Sequence, residues 1–145
     1  MPKHIHLYTD ASTHHRTNQG AWAALILYPS NEQILLKNLV QNTTNNRLEL
    51  WAVLQAIAHI KSQNIPYDQI DIYTDSQYVI GIADRKDRLQ TNNFYTKKGI
   101  LLPNVDLLKA MINYIETEPL KFIKIKAEYS LTVFGFPFSI EWTMN

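Results

Sequence analysis

Three carboxylates in this chain stand where chemistry competes with a purely structural role: Asp10, Glu49 and Asp75. Asp10 closes residues 4–10, where Ile5, Leu7 and Thr9 alternate with His6, Tyr8 and Asp10, the pattern of a strand with an acid at its C-terminal end. Asp75 closes a similar stretch, with Ile70, Ile72 and Thr74 on one face and Asp71, Tyr73 and Asp75 on the other. Between them, Thr43-Thr44-Asn45-Asn46-Arg47-Leu48-Glu49-Leu50 leads into an apolar run at helical spacing, residues 51–60. Strand, long helix and strand make a crossover unit, which predicts two parallel strands. As parallel neighbours they end Asp10 and Asp75 side by side, at the edge where the helix opens.

Glu49 has two readings. Asn46 followed three residues later by Glu49 fits a capping box, in which each side chain satisfies a free backbone N–H. Against that, Val53, Ala56 and Ile60 share the helical face of Glu49, and Leu50, Leu54, Ile57 and Ala58 line an adjoining one. So apolar a helix belongs in the domain centre, and a carboxylate at its mouth needs a partner. Three converging acids repel one another and raise their pKa values. Divalent cations relieve that repulsion, and an all-oxygen set favours Mg²⁺ or Mn²⁺ over zinc. Two such ions about 4 Å apart activate a water and stabilise the leaving oxygen in phosphodiester cleavage.

The remaining elements must position these groups. Residues 11–20 are polar and read as a loop. Its adjacent His14 and His15 suit a solvated turn better than a zinc pair, which needs wider spacing. Residues 21–28 and 33–40 read as strands separated by Pro29-Ser30-Asn31, an antiparallel meander feeding the central helix. Residues 76–82 begin a second helix. A net basic segment follows, with residues 84–88, Lys97 and Lys98 around Phe94 and Tyr95; it is either a solvated helix end or a surface for a nucleic-acid backbone. Another helix starts near Pro103 and buries Val105, Leu108, Met111, Ile112 and Ile115. Its Asp106 reads as a first-turn residue favoured by the helix dipole. Residues 120–127 form a last strand, and the tail, residues 128–145, is aromatic and apolar without helical period.

With 145 residues, no internal repeat and no linker, a single domain over residues 1–145 is expected. Hydrophobic residues at 46% against 19% charged exclude a disordered chain. The absence of cysteine excludes disulfides and thiolate zinc sites. No apolar run approaches membrane-spanning length, and the N-terminus lacks the apolar segment of a signal peptide, so a cytoplasmic monomer is expected. A net charge of +1 leaves nucleic-acid binding to local Lys and Arg placement.

Taken together, Thr9-Asp10-Ala11-Ser12, Thr44-Asn45-Asn46-Arg47-Leu48-Glu49-Leu50 and Thr74-Asp75-Ser76-Gln77-Tyr78-Val79 resemble the three leading motifs of type 1 ribonuclease H, in that family's order. Asn104-Val105-Asp106-Leu107 is similar to its later helix start, so the likeness covers about residues 4–127. The resemblance implies an α/β, ribonuclease H-like fold: a five-stranded mixed sheet of antiparallel meander plus parallel strands, flanked by helices. It implies Mg²⁺-dependent endonucleolytic cleavage of the RNA strand of RNA/DNA hybrids, with Mn²⁺ as a possible substitute. Asp10, Glu49 and Asp75 would be catalytic metal ligands. Asn45, Asn46 and Gln77 would contact the hybrid at RNA 2′-hydroxyls or nearby backbone. Thr44 and residues 85–98 would hold DNA-strand phosphates.

Two departures accompany the likeness. Ala11 stands where the family usually has Gly, which predicts a tighter or shifted approach of the backbone to the RNA. The family also carries a His-containing loop and a fourth metal-binding Asp after its last strand, whereas no Asp follows Asp106 here. Glu128 and Glu141 are the late acids available to replace it. If neither does, or if the C-terminus is truncated, the alternative is a catalytically weak hybrid-binding module on the same fold.

Overall fold

The computed structural model describes residues 2–14 and 16–125. The tail, with Glu128 and Glu141, lies outside the described residues, as does His15. Five strands, β1 (His4–His14), β2 (Gln19–Leu27), β3 (Gln33–Gln41), β4 (Gln69–Thr74) and β5 (Leu120–Lys124), form one sheet in the order β3-β2-β1-β4-β5. β1–β2 and β2–β3 pair antiparallel, while β1–β4 and β4–β5 pair parallel. The expected mixed sheet is present. Three helices, α1 (Asn45–Ser62), α2 (Gln77–Thr91) and α3 (Val105–Thr117), complete the fold. None among the described residues is long and apolar enough to cross a membrane.

β1 corrects the expected loop over residues 11–20. The strand does not stop at Asp10, because Ser12, Thr13 and His14 continue the ladder opposite Ala21, Gly20 and Gln19. The chain turns only afterwards, with Asn18 at a φ of 53°, a left-handed conformation that Asn tolerates. Meanwhile the parallel β1–β4 ladder ends at the Tyr8–Tyr73 pair. Asp10 is therefore interior to β1 yet just beyond the end of its pairing with β4.

α1 packs on β1 and β2, with Leu50, Val53, Ala56, Ile57 and Ile60 fully buried against Ile5, Leu7, Ala24 and Ile26. Ala58 does not share that face; it is exposed beside Gln55. The Asn46–Glu49 capping box is not formed either. Thr44 is the N-cap, its Oγ1 accepting from Arg47 N at 3.3 Å, and Glu49 lies deeper in the helix. Thr44 has extended backbone, as a cap requires, and Asn46 is already helical, so its side chain cannot cap.

α2 runs well past Ile82, to Thr91, and Leu89, directly after the charged stretch, is again buried. In α3, Leu108, Met111 and Ile112 are buried and Val105 and Ile115 are partly covered.

Gly20 locks β2 to the start of α1. A Cβ there would lie 2.5 Å from Leu48 Cδ1 and 3.2 Å from Thr43 Cγ2. Leu48 is fully buried, so it has little room to yield. Gly20→Ala is expected to destabilise by about 1–3 kcal/mol in urea unfolding, the usual overpacking range.

Candidate metal centre and nucleic-acid interface

Each of the three acids is delivered by a different element. Asp10 comes from β1 where β4 has stopped pairing, and its Oδ1 accepts from Ala11 N–H at 2.9 Å. Asp75 follows β4 directly; Thr74 Oγ1 accepts from Ser76 N–H at 3.1 Å, and Ser76 Oγ caps α2 by accepting from Val79 N–H at 3.1 Å. Glu49 comes from the second turn of α1, where Leu48, Glu49 and Leu50 are buried.

One carboxylate oxygen from each of Asp10, Glu49 and Asp75 lies within 4.8 Å of the others. The expected convergence is present. Its burial is uneven: Glu49 is 3% and Asp10 6% exposed, while Asp75 faces solvent. Glu49 Oε2 is buried without a hydrogen-bond partner. Burial, then the charges of Asp10 and Asp75, push the Glu49 carboxyl up to about 9. Buried acidic oxygens, one of them orphaned and opening to solvent at Asp75, are a donor set that fits a hard divalent cation.

Around the acids, Asn45 and Asn46 are exposed in the first turn of α1, and Gln77 is exposed at the start of α2. Ala11 is half-buried beside Asp10. The Thr44 hydroxyl serves its own helix as the cap. From there a groove of about 460 Å³ runs along the β1–β2 turn, lined by Thr13, His14, Asn18, Gln19 and Asn42 as well as Thr44 and Asn45. Reading residues 11–20 as a loop hid these residues. Two asparagines flanking the apolar strands were the available signal: Asn42 N–H donates to Asn18 O at 2.9 Å, and both line the groove.

The basic segment splits. Arg85 folds back on its own helix, donating from Nε to Gly81 O at 3.1 Å and from Nη2 to Tyr78 O at 3.2 Å. Phe94 does not offer an aromatic face to solvent; it is buried because Asn93 and Phe94, both at positive φ, reverse the chain and turn the ring inward. Tyr95, Lys97 and Lys98 remain exposed. Asp106 is more than a dipole residue. Arg47 grips it bidentately at 3.0 and 2.8 Å, and that hydrogen bonding holds its carboxyl down at about 2. The pair ties the start of α3 to that of α1.

Comparison with known proteins agrees with this architecture. Residues 2–132 match the sequence profile of the family described as RNase H. A ribonuclease H of Caldicellulosiruptor saccharolyticus is 28% identical over 133 residues, covering 90% of this chain and 88% of that one. A ribonuclease H of Hahella chejuensis is 33% identical over 110 residues, covering 75% and 71%. Among solved structures, LC9-RNase H1, described as a type 1 RNase H with the type 2 active-site motif, superposes with a TM-score of 0.70 at 19% identity, over 87% of this chain and 64% of that one. A foamy viral protease-reverse transcriptase in complex with dsDNA gives a TM-score of 0.65 at 16% identity, over 87% and 82%. The structural likenesses establish the fold; the profile match over residues 2–132 places the chain in the RNase H family.

Proposed function

We propose that Asp10, Glu49 and Asp75 hold the divalent cations, Mg²⁺ with Mn²⁺ as substitute, with which this family member hydrolyses the RNA strand of RNA/DNA hybrids. One observation carries the assignment: three carboxylates share a space of 4.8 Å, and the most buried keeps an oxygen without any partner. Such a group is stable as an anion only with a cation beside it. When bound, the ions supply an activated water and stabilise the leaving oxygen, giving 5′-phosphate and 3′-hydroxyl ends.

The chain's own residues orient the substrate. Exposed Asn45, Asn46 and Gln77 sit at two helix starts beside the acids, where side-chain amides and free backbone N–H groups meet 2′-hydroxyls and phosphates. The groove at Thr13, Gln19 and Asn42 continues that polar track. Lys97 and Lys98, exposed beyond α2, face the phosphates of the DNA strand.

The test is cleavage of a hybrid labelled on both strands, with Mg²⁺ and separately with Mn²⁺. RNA alone should be cut, and Asp10→Asn should slow cutting on the order of a thousandfold, as for loss of a preorganised charge at a reacting centre. Retained hybrid binding without cleavage under either metal would instead leave a binding module.

A further inference from the structure

The sheet ends on β3, and among the described residues no strand pairs with its outer edge. Hydrogen-bonded pairs alternate along an antiparallel ladder. At one end of the β2–β3 pairing Tyr28 N–H donates to Glu32 O, and at the other Asn42 N–H donates to Asn18 O, both at 2.9 Å. Counting inward from either end, the even-numbered residues of β3 bond to β2. Gln33, Leu35, Lys37, Leu39 and Gln41 therefore direct their backbone N–H and C=O groups outward. Leu39 N–H donates meanwhile to the side chain before it, Asn38 Oδ1, at 2.9 Å.

α1 covers the face of Ala24 and Ile26, whose register partners are Leu36 and Ile34, so Leu35, Lys37 and Leu39 lie on the opposite face. Leu35 and Leu39 are 44% and 39% exposed there, the exposed large apolar side chains of the described strands. An antiparallel partner must present its residues in reverse order. β3 reads Gln33-Ile34-Leu35-Leu36-Lys37-Asn38-Leu39-Val40-Gln41, nearly the same in both directions about Lys37. Set against a second β3 with Lys37 on the two-fold axis, Gln33 meets Gln41, Ile34 meets Val40 and Leu35 meets Leu39. Only Leu36 and Asn38 join unlike residues. Every residue then meets one from its own face, and the outward backbone groups fall opposite one another. On the other face a cavity of about 380 Å³ separates Leu36 and Asn38 from Gln55 and His59, so α1 stands back from the edge.

We infer that the outer edge of β3 docks a second copy of this chain, strand against antiparallel strand, with the two-fold axis at Lys37. Such a contact is isologous, the same patch serving both partners. Pairing the outward groups makes about ten backbone hydrogen bonds, two for each facing pair. Symmetry makes the Leu35–Leu39 contact twice, and apolar cross-strand pairs of this kind stabilise a sheet. Asn38 satisfies Leu39 N–H in the lone chain and releases it to the partner strand. Lys37 faces its own copy, and this like-charge pair keeps the association weak and reversible. The strand of another protein would have to supply this reversed pattern, whereas β3 carries its own complement. Two strands separate β3 from Asp10 on β1, which leaves the acids of both copies uncovered.

Sedimentation equilibrium of the full chain reads the association, and thiol cross-linking reads its register. Dimers should form with rising concentration. Leu35→Lys sets a charge against the partner's Leu39 at both ends of the contact and should weaken dimerisation about tenfold or more. The chain has no cysteine, so Lys37→Cys introduces a single thiol. In the dimer the two backbones at that position stand about 5.5 Å apart, and a short bismaleimide should join them. Gln33→Cys alone should not be joined, because its copies lie about 26 Å apart at strand rise. Mixed with Gln41→Cys it should be. Leu35, Lys37, Gln33 and Gln41 are exposed, so these variants should fold, with circular dichroism as the check. A chain still monomeric at about 1 mM, where even a millimolar dissociation constant shows, would overturn the proposal and mean that another segment of the same chain covers the edge. Dimers that survive Leu35→Lys, or Gln33→Cys joined to itself as readily as Lys37→Cys, would overturn it too. None of these outcomes bears on hybrid cleavage.

Discussion

Glu49→Gln is expected to slow hybrid cleavage severely and, in the same protein, to raise metal-free stability. The substitution keeps shape and removes charge at the most buried of the three acids. Cleavage should fall by about a hundredfold to a thousandfold, because the developing charge loses a preorganised partner. Stability moves the other way. The metal-free carboxyl is pushed up to about 9 by burial and by Asp10 and Asp75, so keeping it in the fold near neutrality requires taking up a proton that the unfolded chain does not hold. At pH 7 that uptake costs on the order of 3 kcal/mol, at about 1.4 kcal/mol per pH unit between the two pKa values. Gln carries no such penalty. Urea unfolding in EDTA at pH 7, beside a cleavage assay, reads both effects. A Gln variant less stable than wild type would mean that the carboxyl already has a good partner in the metal-free protein, contrary to its orphaned Oε2. Natural retention of Glu at such a position is a trade of stability for activity.

The second large effect is the pH course of the metal-free wild-type protein. The folded pKa of Glu49 lies above its unfolded value of 4.5, so between 4.5 and about 9 the folded state binds the extra proton. The stabilising contribution is therefore complete below 4.5 and is lost as pH rises toward 9, with a limiting slope of about 1.4 kcal/mol per pH unit. Mg²⁺ reverses this, because it binds the ionised form and displaces the proton. Denaturant midpoints from pH 5 to 9, with EDTA and with Mg²⁺, should diverge steadily toward alkaline pH. Glu49→Gln should flatten the EDTA curve. Parallel wild-type curves would show that the acids bind no cation.

The crossover was legible because local periodicity carries it: two-residue alternation in residues 4–10 and 70–75, and helical spacing after Leu48, predict β1, α1 and β4 in parallel. The misreadings have a common cause. Polar Ser12, Thr13 and His14 look like loop, yet pairing with Gln19, Gly20 and Ala21 keeps them in strand. Asn46 and Thr44 are both good caps by type, and only the backbone angle at Thr44 decides between them. Phe94 among lysines looks like a surface aromatic until two left-handed residues turn it inward.

What the sequence determined by itself was the identity and order of the three acids and the kind of element bearing each, since these depend on near-neighbour patterns. Only the tertiary structure decided that β4 stops pairing at Tyr73, which opens the sheet beside Asp10. Only packing of α1 on β1 and β2 decided that Glu49 is buried while Asp75 stays wet. Burial is a property of contacts between distant segments, and it is burial that leaves this glutamate needing a proton or a cation to neutralise it.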